Sequence, residues 1–85
     1  MNTHNLQCSV YRSAKKEGMY LYVPKQNSFD RVPEALLQTF GTPGHVMDLE
    51  LTPERKLARA NAPDVINGIL QNGYYLQMPP SEQGR

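Results

Sequence analysis

The groups most able to do chemistry are one thiol, Cys8, and two imidazoles, His4 and His45. A structural zinc site draws four ligands from paired Cys/His spacings. Here His4 and Cys8 stand four residues apart and His45 lies far along the chain, so the sequence predicts neither a metal nor a cofactor. Cys8 falls between Leu6 and Val10 in an alternating run, which predicts a buried thiol. Burial in apolar company raises a thiol pKa and quiets it as a nucleophile. Ser13 has Lys15 and Lys16 nearby, but a polar loop does not preorganise a Ser-Lys pair, and Ser9 has no histidine close in sequence. Asp48 and Glu50 share one side of a strand, a spacing open to acid-base work and common on plain solvated strands. Gly41-Thr42-Pro43-Gly44 lacks both phosphate-loop patterns and reads as a helix cap and a turn. The expectation is a protein that is not an enzyme.

The elements that would position these groups follow from periodicity. Leu6, Cys8 and Val10 alternate with Gln7, Ser9 and Tyr11, and Met19, Leu21 and Val23 alternate with Tyr20 and Tyr22. Alternation of this kind marks half-buried strands. The polar link from Arg12 to Gly18 makes them a hairpin, and Pro24 ends the second strand because it has no N–H for the ladder. Pro33 and Glu34 suit the start of a short helix that carries Leu36, Leu37 and Phe40 on one stripe, with Gly41 at its end. Met47, Leu49 and Leu51 alternate with Asp48 and Glu50 in a third strand. Residues 56–60 read as a returning strand or as the first turn of a helix. A second helix starts at Asn61 or Ala62, buries Val65, Ile66, Ile69 and Leu70, and ends at Gly73. Gly68 inside it costs roughly 1 kcal/mol relative to alanine unless close packing needs the missing side chain. Tyr74 to Met78 alternates again before Pro79 and Pro80.

This order, ββα-β(β)-αβ, predicts an α+β fold: a two-layer, mainly antiparallel sheet of four to five strands with both helices packed on one face. Residues 1–80 would form a single domain and 81–85 a flexible polar tail. The opposite sheet face would then carry Gln7, Ser9, Tyr11, Tyr20, Tyr22, Asp48, Glu50, Tyr75 and Gln77. Tyrosine is enriched in strands and at interface hot spots. The expected site is therefore an open stripe of Tyr11, Tyr20, Tyr22 and Tyr75 edged by Arg12, Lys15 and Lys16. It fits a non-enzymatic interaction module that meets a protein partner or a second copy of itself. The alternative is an accessory single-stranded RNA-binding protein, in which the rings stack on bases and the cations follow phosphates.

Charge weighs against the second reading. The 85 residues carry 9 basic and 8 acidic side chains, a net +1. The first 42 residues hold five basic and three acidic groups and the remainder four and five, so neither half names a partner. No apolar run approaches the length of a membrane span. Polar residues at the start and a single cysteine lead us to expect no secretion signal, no disulfide and a cytoplasmic protein.

Four segments taken together carry a resemblance: Val10-Tyr11-Arg12-Ser13, Met19-Tyr20-Leu21-Tyr22-Val23, Arg31-Val32-Pro33-Glu34-Ala35-Leu36 with Phe40-Gly41, and Gly73-Tyr74-Tyr75-Leu76-Gln77-Met78-Pro79-Pro80. In order and spacing they resemble the YcgL family of small uncharacterised bacterial proteins, over about residues 7–80. The resemblance implies a compact α/β domain in a Gram-negative bacterial cytoplasm. It implies no activity.

Overall fold

Alternating residues in the chain pair into one antiparallel sheet. The computed structural model describes residues 6–26, 28–57 and 60–79. The terminal tail, His4 and the middle of the 56–60 segment lie outside the described residues. Strands β1 (Leu6–Arg12), β2 (Tyr20–Pro24), β3 (Gly44–Leu51) and β4 (Tyr75–Gln77) stand in the order β3-β1-β2-β4. Helix α1 (Glu34–Phe40) joins β2 to β3, and α2 (Ala62–Asn72) joins β3 to β4. The α+β class with a four-stranded antiparallel sheet and two helices is as the sequence predicts. Lys56 forms only an isolated bridge to Asn61, so no fifth strand arises among the described residues.

The helix ends follow their local chemistry. Pro33 is the N-cap of α1, one residue before the helical position expected of it, and Gly41 closes the helix at φ +81°. Asn61 caps α2, Pro63 sits in its first turn, and Gly73 ends it in the left-handed region. Gly68 has the packing reason that a helical glycine needs. A Cβ there would lie 2.9 Å from a ring carbon of Tyr75 and 3.3 Å from the carbonyl oxygen of Tyr74.

The expectation that both helices share one face does not hold. Val10 pairs with Tyr22, Arg12 with Tyr20, and Cys8 with Pro24. Directly paired residues point to the same side of a sheet. Cys8 and Val10 therefore share their face with Tyr20 and Tyr22, while Leu21 and Val23 share theirs with Ser9 and Tyr11. Each face thus carries its own apolar set, and each recruits one helix. Cys8, Val10, Tyr22, Leu49 and Leu51 pack with Val65 and Ile69 of α2. Met19, Leu21 and Val23 pack with Val32 and with Phe40, Leu36 and Leu37 of α1. The result is three layers, with the sheet between the helices.

Candidate functional site

Register divides the predicted tyrosine stripe. Tyr11 lies on the α1 side; Tyr20, Tyr22 and Tyr75 lie on the α2 side. Tyr22 is only 6% exposed, and the other three are half-buried. Tyr22 meets Tyr75 edge-on with ring centroids 5.9 Å apart. Tyr11 packs between Phe29 at 4.8 Å and His45 at 5.3 Å. An open platform of four phenol rings is therefore absent, because each face of the sheet uses its rings in packing.

The expected basic edge is also redistributed. The Ser13 hydroxyl accepts from the backbone N–H groups of Lys15 and Lys16 and donates to the carbonyl of Phe40. Lys15 donates from Nζ to the carbonyl oxygen of Gln38 at 2.9 Å. The β1–β2 loop thus caps the carbonyl end of α1, where an ammonium group complements the helix dipole. The Arg12 side chain lies against Gly44, where a Cβ would approach it within 3.2 Å. Ser13 and Lys15, weighed from the sequence as a weak catalytic pair, are spent on this cap.

On the α1 side, Asp48 gathers three partners. Its Oδ1 accepts from the Ser9 hydroxyl at 2.7 Å and lies 2.8 Å from Nε2 of His45. Lys25 stands 3.7 Å from Oδ2. The hydrogen bond to His45, then that to Ser9, holds the Asp48 carboxyl below its ordinary pKa. Serine and histidine meet the same carboxylate oxygen, so the histidine is not placed to take the serine proton as a nucleophilic triad requires. Among the described residues, no three His, Cys, Asp or Glu side chains gather as a metal site. Cys8 is fully buried, and burial, followed by the nearby Asp48 charge, pushes its thiol up to about 12.

The concave feature of interest lies on the α2 side, toward the hairpin end of the sheet. Val10, Tyr22 and Leu49 contribute to a cleft of about 710 Å³, with Tyr20, Val46, Met47 and Leu57 around them. That volume falls within the range of ligand clefts. A β-bulge builds one wall. The register between β1 and β3 shifts at Val10/Tyr11, where Met47 pairs with Val10 and His45 with Tyr11, leaving Val46 as the extra residue. Val46 and Met47 both line the cleft and are 41% and 46% exposed, unusual values for large apolar side chains. Arg55 and Lys56 enter the lining from the segment after β3, and Glu17 enters it from the β1–β2 loop. At the β4 side, Gln77 is 4% exposed and accepts a hydrogen bond from the Tyr22 hydroxyl at 3.0 Å. Burial, and after it the neighbouring Cys8, Tyr75 and Tyr20, raises the Tyr22 pKa, so the phenol keeps the proton it donates. The sequence reading found Tyr20 and Tyr22 but missed Val46, Met47, Arg55 and Lys56. The sole signal for Val46 and Met47 was the break in alternation at His45-Val46-Met47, and Arg55 and Lys56 had none.

A model of the YcgL domain matches residues 8–80. The chain belongs to the YcgL domain family. A YcgL domain-containing protein of Pseudomonas paraeruginosa is 57% identical over 76 residues, 89% of this chain and 78% of the relative. One from Saccharophagus degradans is 59% identical over 71 residues, covering 84% of this chain and 78% of its own. One from Pseudomonas fluorescens is 53% identical over 75 residues, covering 88% and 77%. These relatives are named for the YcgL domain and for no activity. No helix among the described residues is long and apolar enough to cross a membrane.

Proposed function

We propose that the chain is a cytoplasmic, non-enzymatic protein-interaction module whose binding surface is the cleft around Tyr20, Tyr22 and Met47. The observation that supports this reading is the incomplete cover of one sheet face. Helix α2 packs on Cys8, Leu51 and their neighbours. Toward the hairpin end, the face opens into the cleft, and the bulge leaves Val46 and Met47 in solvent. Apolar side chains grouped beside the half-buried ring of Tyr20 favour a partner that removes them from water. A free, buried cysteine agrees with a reducing compartment. The single-stranded RNA reading has weaker support, because stacking needs accessible ring faces and Tyr22 offers almost none.

Site-specific photo-crosslinking in cells tests the proposal. A benzophenone amino acid replaces Met47 in one strain and exposed Glu34, on α1, in another. The expected result is a discrete protein adduct from position 47 that position 34 does not give. The captured protein is then purified, and its binding to the unmodified chain should weaken about tenfold or more on Met47→Asp, the scale of a buried interface anchor. Adducts common to both positions, or binding indifferent to Met47→Asp, would remove the cleft from consideration.

A further inference from the structure

We infer that the occupant of the cleft is an acidic, apolar segment of a partner protein: a large apolar side chain flanked by aspartate or glutamate. This rests on the interaction reading above and adds the chemistry of the partner. The apolar requirement comes from Tyr20, Val46 and Met47, which offer surface to a side chain of similar character. The acidic requirement comes from Arg55 and Lys56. Both line the cleft, and neither is in an ion pair among the described residues. Among the described residues of the lining, Glu17 is the single acid, so cations prevail there two to one. Facing potentials of opposite sign steer encounter and reject like-charged partners.

A second copy of the chain fits less well. Antiparallel self-pairing along edge strand β3 about Leu49 would set Asp48 of one copy opposite Glu50 of the other, twice over. Like charges in cross-strand positions are destabilising.

Selection of a random dodecapeptide phage library on the purified full chain tests the inference, with the Met47→Asp chain as counter-selection. The expected winners combine an aromatic or long aliphatic residue with neighbouring Asp or Glu. A synthetic winner should bind roughly tenfold more weakly to the Arg55→Glu, Lys56→Glu double variant, and more weakly as salt rises. Both positions are exposed, and circular dichroism is the check that the variants fold. Several results would overturn the inference: no enrichment over the counter-selection, enrichment of neutral or basic peptides, or affinity indifferent to the charge reversal. Two others would do the same. One is a dimer in sedimentation that Met47→Asp dissolves. The other is a uridine dodecamer that binds the chain and is released by that substitution. A crosslinked partner at position 47 without acids at its contact segment would leave the interaction module standing and this inference refuted.

Discussion

The hydroxyl of Tyr22 donates to Oε1 of Gln77 across 3.0 Å, tying β2 to the short edge strand β4 beneath the cleft. Both side chains are nearly inaccessible, at 6% and 4% exposure. Removing one partner of such a pair leaves the other short of a bond it would have made with water.

Tyr22→Phe therefore lowers stability by about 1–2 kcal/mol, the span of a neutral hydrogen bond and an unmet acceptor. The phenyl ring keeps the edge-on contact with Tyr75, so the loss reports on the hydroxyl alone. The chain has no tryptophan, so urea unfolding is followed by far-ultraviolet circular dichroism. A cycle with Gln77→Leu should return most of the loss as coupling between the two positions. Additive single losses would mean that the bond contributes nothing in solution.

The Gly73 position makes a sharper demand on the backbone. Its φ of +91° is costly for any residue with a Cβ, and a Cβ built there would sit 2.5 Å from the Cβ of Arg31. The nearest clash is with the root of the Arg31 side chain, which cannot swing away as its outer atoms can. Gly73→Ala should destabilise by about 2–3 kcal/mol, from the left-handed strain and the displaced turn together. Thermal unfolding of the variant, read beside Gln71→Ala on the exposed side of α2, checks this. Equal midpoints for the two variants would show that the helix end does not constrain the fold.

The elements and their ends were legible in the residues, and the assembly was not. Pro33 with Gly41, and Asn61 with Gly73, marked both helices because capping and left-handed backbone are local properties. Alternation found β1 and β2 because it too is local. It says which residues of one strand share a side, but not which side of the next strand they join. That choice is made by the loop. The backbone N–H of Ser13 donates to the carbonyl of Met19, which sets Arg12 opposite Tyr20 and leaves Cys8 and Leu21 on different faces. A hairpin loop one residue longer or shorter would have reversed the parity and produced the expected aliphatic side and phenol side. The cleft was hidden for a related reason. The bulge at Val46 is an interruption of alternation, and a pattern search discounts interruptions.

Acid stability offers the last check, on the side of the sheet away from the cleft. His45 and Ser9 hydrogen-bond the ionised Asp48 and hold its carboxyl below the ordinary value of about 3.9. The folded chain thus releases this proton more readily than the unfolded chain. Above the unfolded pKa both states are ionised, and the full stabilisation from the carboxylate is present. As pH falls, the unfolded chain takes up the proton first, and the contribution drains away until the pH passes below the folded pKa. Asp48→Asn removes this titration. The stability gap between the wild-type chain and Asp48→Asn should be at its full size above the ordinary carboxylate range and should narrow as pH falls toward about 3 in urea titrations. An asparagine side chain differs little in size from aspartate, so packing losses add a constant offset and leave the slope intact. A gap that stays level across that range would show that the Ser9–Asp48–His45 cluster is not formed in solution.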